Sequence, residues 1–410
     1  MAIANTHLPS DKVPDHVPPE LVWNHNFDEF NHELDDPFLS SSRLHGGPGI
    51  LWARGGLFGE PAWLPTTKVL IEEIFRDTDH FSSDRCNLPA ALGVTWKLNP
   101  LEFDPPEHHQ YRRILNPFFT PQAVSTLDEG VKQICNELIA TFEERGHCEF
   151  ISEFAEKFPA YVFLDLLGLP RDRLPEFLEW ETNMMRGATP QIRLAAMKSV
   201  LHYIENFVDE QQKNPQTDLM KGLIGARMES GRALTRDELL GMCYLFYVGG
   251  LDTVYSTLGW VMRHLAMDNA LQERLRANPD EMPFAIEEFL RAYPVARPHR
   301  QVAKDFVFHG VPMKKGEMVL LPTWLAGRDP EAYDNPHAIE VNRKPRHLTF
   351  ATGPHICLGL HLAKRELRTV VEAFLSRFHN IRIPEGESYE YHAGGTVGVD
   401  RLPLVWDQAS

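Results

Sequence analysis

The sequence predicts a mainly α protein with a minor β part and one long central helix. Apolar residues recur at spacings of three and four over much of the chain, whereas runs that favour strands are few and short. No alternation of strands and helices of the βαβ type is visible. With 43% hydrophobic and 24% charged residues in 410, the composition is that of a globular enzyme and excludes a disordered, collagen-like or coiled-coil protein.

The β part is predicted near the two ends of the chain. Residues 1–22 are rich in proline and predict an extended N-terminal arm, which leaves a single domain over 23–410. The segments 51–54 and 61–64 flank glycine-rich turns and predict a β-hairpin. Further short strands, antiparallel where glycine turns separate them, are predicted at 306–308, 311–313, 318–321 and within 389–406.

The helices follow from apolar periodicity and from capping residues. Thr120 and Pro121 are a typical N-cap and first-turn proline, and Thr235 with Glu238 has the spacing of a capping box. Helices are predicted at 68–75, 120–142, 200–208, 235–262, 286–292 and 361–378.

The central segment from Leu239 to Met262 carries a single charge, Asp252. Its length would suffice to span a bilayer. However, two glycines, an aspartate and a threonine at its centre would be costly facing lipid, and no second such span accompanies it. The segment therefore predicts a helix that is buried on all sides within a large protein.

Charge and cysteine content narrow the possible partners. Lys and Arg total 41 against 57 Asp and Glu, a net charge of −16, which argues against nucleic acid or an anionic membrane surface as a partner. Five cysteines, an odd number without a C-x-x-C motif, indicate a reducing compartment and no zinc cluster. The N-terminus lacks the basic and apolar regions of a secretory signal. We expect a cytoplasmic monomer.

One cysteine stands in a distinctive loop, Phe350-Ala-Thr-Gly353-Pro-His355-Ile-Cys357-Leu-Gly359, directly before a predicted helix. A thiolate at that place lies near the positive end of the helix dipole and near free N–H donors. The glycines allow a flat ligand to approach the backbone, and Phe350 can pack beside the sulfur. A lone thiolate in such surroundings suits a haem iron. The remaining cysteines are predicted to be buried small apolar residues, namely Cys86, Cys135, Cys148 and Cys243.

This loop resembles the pattern F-x-x-G-x-[R/H]-x-C-x-G of the cytochrome P450 family, the haem-thiolate monooxygenases; Ala351 departs from it where glycine is commoner. The resemblance implies a single-domain P450 fold with the central helix over haem b, Cys357 as the metal ligand, and Phe350 and Gly359 beside the haem. It also implies that Glu288 and Arg291 are the structural E-x-x-R pair.

The E-x-x-R letters alone have little weight, because Glu73 and Arg76 match them too. For these two we expect an ordinary surface pair at i and i+3. Arg343 is a candidate third member of the Glu288–Arg291 network.

A second motif, Asp104-Pro-Pro-Glu-His108 continuing to Arg112, resembles the family's D-P-P-x-H-x-x-x-R helix, with the last two side chains on one helix face. Two haem propionates need cationic or donor partners when buried. By resemblance the partners are His108, Arg112, Arg300 and His355. The alternative for each is a solvated surface charge.

The middle of the central helix reads Gly249-Gly250-Leu-Asp252-Thr253, and glycine costs about 1 kcal/mol against alanine inside a helix. Such a cost predicts a functional reason: a widened turn that makes room for O₂. The family's catalytic acid–alcohol pair matches Asp252, which would supply protons, and Thr253, whose hydroxyl would donate a hydrogen bond. The alternative is that two glycines merely ease helix packing beside a solvated aspartate.

Within the family, four segments resemble the bacterial camphor monooxygenase branch, namely 249–254, 308–311, 361–363 and 402–407. That branch implies electrons from a [2Fe–2S] ferredoxin that is reduced by a flavoprotein reductase. An acidic ferredoxin would be steered by a basic patch, for which the candidates are Arg76, Arg112, Arg113, Lys344, Lys364 and Arg365. Scattered solvated charges are the alternative.

The predicted pocket departs from the camphor enzyme, because Trp96 stands where that enzyme has a tyrosine that bonds the substrate ketone; Asn87, Leu101, Ala296 and Gly395 also differ. The predicted substrate contacts are Trp96, Leu101, Leu245, Val248, Gly249 and Ala296. They predict a small apolar substrate, a terpenoid or norisoprenoid, hydroxylated by this monooxygenase. Two alternatives remain: a non-catalytic haem-thiolate sensor, and a metal-free hydrolase with a cysteine nucleophile.

Overall fold

The structure, a computed structural model, describes residues 13–57, 59–84 and 91–407. Helices dominate these residues, so the predicted fold class is confirmed. They span Phe27–Phe30, Pro37–Ser42, Lys68–Arg76, Glu107–Leu115, Pro121–Ser125, Asp128–Ala140, Lys157–Leu167, Leu174–Arg186, Pro190–Lys213, Asp218–Gly225, Arg236–Met267, Asn269–Ala277, Met282–Ala292, Thr323–Gly327 and Leu360–Arg377.

The strands are short. They are β1 Val22–Asn26, β2 Ile50–Leu57, β3 Glu60–Pro65, β4 Phe81–Ser82, β5 His147–Glu149, β6 His299–Val302, β7 Phe306–Phe308, β8 Val311–Met313, β9 Met318–Leu320, β10 His379–Arg382, β11 Glu390–Ala393, β12 Val397–Arg401 and β13 Pro403–Asp407. They form a six-stranded sheet in the order β1-β2-β3-β9-β6-β4, a three-stranded sheet β10-β13-β5, and the pairs β7-β8 and β11-β12.

The chain forms two compact units. The strand-rich unit comprises Met1–Arg85, Glu287–Cys357 and His392–Val397, and the helical unit comprises Cys86–Ile286, Leu358–Tyr391 and Gly398–Ser410.

In the strand-rich unit, β2 and β3 form the predicted antiparallel hairpin, with Trp52 opposite Trp63 and their rings 4.8 Å apart edge to face. The expectation for residues 318–321 was wrong in one respect. Strand β9 does not join β7 and β8 but lies between β3 and β6 in the large sheet. The reason is burial, since Val319 and Leu320 are fully buried there and need neighbours on both sides.

The predicted extended arm differs from the structure where it is described. Residues 1–12 lie outside the described residues. From there on, Val17 is buried, Pro19–Leu21 forms a turn of 3₁₀ helix, and Val22 already begins β1, which pairs in parallel with β2. Backbone pairing and burial thus hold the described end of this segment.

The helix predicted over 120–142 is two helices. Thr120 caps the first, Pro121–Ser125, by accepting a hydrogen bond from the Ala123 N–H at 3.2 Å. The Thr126 hydroxyl then donates to the Ala123 carbonyl at 2.7 Å, and the second helix begins at Asp128. A threonine hydroxyl that bonds the backbone of the preceding turn competes with the helix ladder, which accounts for the break.

The central helix, Arg236–Met267, runs through the helical unit and begins at the predicted capping box of Thr235 and Glu238. Glu238 also accepts a hydrogen bond from the Tyr111 hydroxyl at 2.8 Å, which ties the central helix to the helix Glu107–Leu115. Although burial opposes the charge of Glu238, hydrogen bonds from Arg232 and from the Thr235 N–H lower its pKa to about 2. None of the helices in the described part of the chain is both long and apolar enough to cross a membrane.

Candidate active site

The loop before the helix Leu360–Arg377 presents the sulfur of Cys357. The backbone N–H of Cys357 donates to the Phe350 carbonyl at 2.9 Å, and this hydrogen bond closes the loop. Gly353 has φ of 72°, and a Cβ there would lie 3.0 Å from the Phe75 carbonyl oxygen, so the position needs glycine. Ala351, where the family more often has glycine, also adopts a left-handed conformation with φ of 58°. Such a conformation costs a non-glycine residue about 1–2 kcal/mol.

Cys357 differs from the other described cysteines in exposure. Cys135, Cys148 and Cys243 are buried, as predicted, and burial raises the pKa of each thiol, to about 12 for Cys135 and Cys243. Cys357 is exposed, and no residue from 349 to 365 is fully buried. Cys86 lies outside the described residues. Among the cysteines that the structure describes, Cys357 is therefore the one that a large planar ligand can reach.

Beneath this loop, the strand-rich unit buries an ion-pair network. Glu288 and Arg291 are both 0% exposed, and the guanidinium donates twice to the carboxylate at 2.8 Å. Arg343 Nε donates to the same carboxylate at 3.0 Å, as the sequence predicts for a third member. The remaining Arg291 donors bind backbone carbonyls, those of Gly327, Pro336 and Ala338. A buried pair with every donor used is the arrangement in which burial is tolerated.

The other E-x-x-R match is different. Glu73 is 47% exposed and lies 2.8 Å from His309, while Arg76 pairs with Glu72 at 2.9 Å. The expected i, i+3 pair between Glu73 and Arg76 was therefore wrong, although both side chains are on the surface as expected.

The helix Met282–Ala292, which carries Glu288, also supports the segment that leads into the loop around Cys357 (residues 350–359, the thiolate loop). The Thr349 hydroxyl donates to the Leu290 carbonyl at 2.6 Å, and His347 Nε2 lies 3.1 Å from the Glu287 carboxylate. This helix thus holds the backbone of residues 347–349, which lead into the loop around Cys357.

Two predicted propionate partners belong to the strand-rich unit. Arg300 is on β6, only 4% exposed, and lies 5.5 Å above the Phe75 ring. His355 is in the thiolate loop, with Nε2 3.2 Å from the Ser83 hydroxyl. Ser83 was missed by the sequence analysis, since a single serine far along the chain has no local signal.

The other two propionate partners share one helix of the helical unit, Glu107–Leu115. His108 is 1% exposed, and Arg112 is half-buried with its Nε donating to Asn116 at 2.9 Å. A solvated surface charge is thus excluded for His108. Arg112 lines an open cleft of about 590 Å³ together with His109, Arg113, Asn116, Pro117 and Thr120.

The glycine pair of the central helix has two distinct roles. A Cβ on Gly250 would lie 2.8 Å from the Phe163 ring, so this glycine allows close packing against the helix Lys157–Leu167. A Cβ on Gly249 would meet nothing within 4 Å. The packing alternative therefore holds for Gly250, while Gly249 borders open space. The predicted widened turn is not seen, because Arg236–Met267 is α-helical throughout.

Asp252 and Thr253 come next along the central helix after the glycine pair. Asp252 is 2% exposed, so it is not the solvated aspartate of the alternative; its Oδ1 lies 3.5 Å from the Ser256 hydroxyl. The half-buried Thr253 donates its hydroxyl to the Gly249 carbonyl at 3.3 Å. One hydroxyl has one hydrogen, and in this conformation it is directed at the Gly249 carbonyl, so the oxygen of Thr253 offers an acceptor toward the space beside Gly249. The catalytic role of Thr253 stays a prediction.

Four predicted substrate contacts lie on the helical unit, where they border its buried core: Trp96, Leu101, Leu245 and Val248. Trp96 packs on Tyr244 of the central helix with ring centroids 5.8 Å apart. Ala296 belongs to the strand-rich unit, where it bridges Thr396 and its carbonyl accepts from Thr323. Asn87 lies outside the described residues.

The predicted basic patch is partly neutralised by ion pairs. Arg113 pairs with Glu229, Arg365 pairs with Asp128 at 2.6 Å, and Arg76 with Glu72. Paired surface charges contribute less to long-range steering than isolated ones.

A family profile, Cytochrome P450, matches residues 169–390. "Probable cytochrome P450 127A1" of Sinorhizobium fredii is 35% identical over 407 residues, which cover 97% of each chain. The chain belongs to the cytochrome P450 family. It is therefore a haem monooxygenase, as the thiolate loop predicts, and haem b is the cofactor of this family.

Solved structures support the same assignment. The crystal structure of CYP101J2 matches 97% of this P450 and 99% of its own chain, with a TM-score of 0.86 at 30% identity. That of CYP101C1 covers 97% and 100%, with a TM-score of 0.86 at 27% identity. Both belong to the camphor-type branch that the short motifs indicated. The predicted single-domain P450 fold is confirmed.

The described residues fit haem b. Cys357 is exposed and lies in the run 349–365, in which no residue is fully buried. Gly249 and Gly359 both border open space, where a Cβ would meet nothing within 4 Å. His108 and Arg300 are buried donor side chains of the kind that a propionate requires.

The two E-x-x-R glutamates provide a matched test of the buried network. Glu288→Gln removes the charge that compensates Arg291 and Arg343 at full burial, and breaking such a pair costs about 3–5 kcal/mol. Glu73→Gln makes the same change at an exposed pair, where the cost is about 0–1 kcal/mol. The measurement is urea unfolding of the two holoproteins at pH 7. Equal losses of unfolding free energy would show that the network does not stabilise the fold.

Proposed function

We propose that this P450 inserts one atom of O₂ into a C–H bond of a small apolar substrate, with electrons from a [2Fe–2S] ferredoxin: R–H + O₂ + 2 e⁻ + 2 H⁺ → R–OH + H₂O. The observation that carries this is the acid–alcohol pair on the central helix, where the buried Asp252 precedes Thr253 and the adjacent Gly249 borders open space. A sensor protein would need the thiolate loop but would have no use for this pair.

Bound haem b supplies the one-electron and O₂ chemistry. In this proposal Cys357 would hold the iron, Phe350 and Gly359 would border the haem, and His108, Arg112, Arg300 and His355 would neutralise the two propionates. The burial of His108 and Arg300 supports the assignment for these two, because a buried propionate needs donor or cationic side chains that are buried with it.

Thr253 and Asp252 divide the handling of protons. The Thr253 hydroxyl is oriented by the Gly249 carbonyl, so its oxygen accepts a hydrogen bond from a donor beside Gly249 and holds that donor in place. Asp252, buried and one residue earlier, takes protons from the solvent side of the helix and passes them on. The two residues therefore fix where a proton arrives, and this decides between product and hydrogen peroxide.

The substrate is a compact terpenoid or norisoprenoid. Support comes from the apolar side chains that border the helical core, Leu101, Leu245 and Val248, and from Trp96, whose indole N–H is a single donor on a large apolar surface. Such a set would orient a ligand with one oxygen and a rigid hydrocarbon body. Ala296 is the proposed small contact from the strand-rich unit.

The electron donor is a [2Fe–2S] ferredoxin with a flavoprotein reductase. The protein carries a net charge of −16, yet the cleft is lined by the guanidinium groups of Arg112 and Arg113, of which Glu229 neutralises the second in part. A local basic site on an acidic protein selects and orients an acidic partner. If no [2Fe–2S] ferredoxin supports NADH-dependent turnover, this part of the proposal fails.

Replacing the proposed iron ligand tests the site directly. Cys357→His should retain haem but lose the strongly red-shifted Soret band of the reduced carbonyl complex, because imidazole replaces the thiolate. Cys135→Ala, at a buried cysteine, should keep the band. An unchanged spectrum in Cys357→His would remove Cys357 from the iron.

Thr253→Ala tests the control of proton arrival. We expect haem content, substrate affinity and NADH consumption within a few-fold of the parent. Loss of one hydrogen bond, worth about 1–2 kcal/mol, should shift the ratio of product to peroxide by roughly 5–30-fold toward peroxide. Asp252→Asn should instead slow both outcomes. The measurement is product and peroxide formed per NADH consumed.

The matched control for this test is Thr257→Ala, one turn further along the same helix, where the hydroxyl donates to the Thr253 carbonyl at 2.8 Å. Thr257→Ala should still convert NADH mainly into product rather than peroxide. If Thr253→Ala also converts NADH mainly into product, the proposed role of Thr253 in proton arrival is wrong.

Trp96→Ala tests the proposed pocket wall. Removing the indole should enlarge the space beside Tyr244, weaken the spin-state response to a terpenoid panel, and give several hydroxylation products where the parent gives few. Trp180→Ala, a similar truncation at another half-buried tryptophan of the helical unit, should leave the products unchanged. Identical product patterns in the parent and Trp96→Ala would place Trp96 outside the site.

A further inference from the structure

Besides Asp252, the helical unit buries the carboxyl group of Glu181. The helix Leu174–Arg186 buries Leu174, Phe177, Glu181 and Met184, a single stripe at helical spacing in which Glu181 is the charged member. Glu181 is 2% exposed. An ionised carboxylate in an apolar stripe carries a large desolvation cost unless it is fully paired.

The pairing of Glu181 is incomplete. Arg186 Nη2 is 3.7 Å from Glu181 Oε2, too far for a good hydrogen bond. The same guanidinium donates through Nη1 to the Tyr255 hydroxyl at 2.5 Å and to Asp400 at 3.2 Å. Within the described part of the chain, Glu181 Oε1 and Asp252 Oδ2 are both buried and have no hydrogen-bond partner. Two unsatisfied carboxyl oxygens in one buried cluster can be satisfied by a proton or a water.

The charges around Glu181 indicate which form it takes. Burial, followed by the negative charge of Asp252, raises the pKa of Glu181 to about 8, against the opposing effect of Arg186. Glu156 adds to the rise, and its own pKa is raised by burial, although Arg186 and Lys157 oppose this. The groups that face this cluster from the packed elements are Glu156, Arg186, Tyr247, Asp252, Tyr255 and Asp400. At neutral pH Glu181 is therefore the protonated acid beside Asp252.

We propose that Glu181 is a positioning residue that stores the proton delivered through Asp252. A proton leaves the Glu181 carboxyl and binds Asp252 Oδ2, directly or across one water, and Glu181 becomes a carboxylate beside Arg186. Glu181 is then reprotonated from solvent along the side of the cluster where Arg186 and Asp400 are partly exposed, with side-chain exposures of 20% and 38%. No oxidant or further reactant is required. This inference rests on the proposed proton transfer by Asp252.

The direct test reads the proton on Glu181 without turnover. In infrared difference spectra of the holoenzyme between pH 6 and pH 10, a protonated-carboxyl band should disappear with a midpoint near pH 8, should shift in D₂O, and should be absent in Glu181→Gln. Asp252→Asn should lower the midpoint, because it removes a like charge while leaving Glu181 in place. Glu179→Gln replaces an exposed glutamate of the same helix and should change neither the carboxyl band nor its midpoint. Burial also raises the pKa of Glu366 to about 8, so the band of Glu181 is the one that Glu181→Gln removes. The inference fails if Glu181→Gln removes no carboxyl band that titrates above pH 6, or if Asp252→Asn leaves the midpoint of that band unchanged.

Turnover separates this inference from the proposed function. In the parent, coupled turnover should fall as pH rises through 8, because the stored proton is lost; Glu181→Gln should lose that pH dependence and be about tenfold slower at pH 7, less than the about 10²–10⁴-fold of a direct acid or base. If Asp252→Asn slows turnover but Glu181→Gln keeps the parent's rate and pH profile, only the role of Glu181 is wrong. If Asp252→Asn itself does not slow turnover, the proposed proton route is wrong.

Stability gives a check that does not depend on catalysis. A carboxyl whose pKa is raised in the folded state contributes stability that is present at low pH and is lost as pH rises through the folded pKa. The parent should therefore lose unfolding free energy between about pH 4.5 and pH 8 relative to Glu181→Gln. A difference that is constant over this range would contradict a proton stored on Glu181.

Discussion

The interaction on which the thiolate loop depends is the burial of one guanidinium. Arg291 makes five hydrogen bonds at zero exposure, two to Glu288 and three to backbone carbonyls of the segment 327–338. Arg343 joins through the same carboxylate. An irregular segment cannot satisfy its own carbonyls as a helix does, and Arg291 provides those donors. The helix that bears it also holds Thr349, so the backbone that leads to Cys357 is fixed from beneath.

In the helical unit, the constraint is the passage of a single helix through an apolar core. Most of the helix is buried, and any polar group in that buried part must be satisfied locally or have a function. Gly250 allows close helix packing, and the Thr253 hydroxyl donates a hydrogen bond to a carbonyl of the preceding turn. Among the described residues, Asp252 Oδ2 has no hydrogen-bond partner. That remaining oxygen is the feature that packing does not explain.

Several features were predictable because their causes are local. The capping box at Thr235 and Glu238, the β2–β3 hairpin and the loop around Cys357 each depend on residues within a few positions of one another. The exposure of Cys357 also has local causes, because the glycines around it and the start of the following helix are close to it in the sequence. Ala351 shows the limit of such local rules, because its left-handed backbone persists without the glycine that would favour it.

The sequence by itself determined the fold class, the family and the residue types at the proposed iron and proton sites, because short motifs with fixed spacing encode them. Only the tertiary structure decided which of two identical E-x-x-R motifs is buried, that β9 pairs with β3 and β6, and that Gly249 and Gly250 have different neighbours. It also decided that Glu181, one glutamate among many, lies beside Arg186 and interacts with Asp252. The physical reason is that burial and electrostatic interaction depend on segments distant in the chain, and no local pattern records which of them come together.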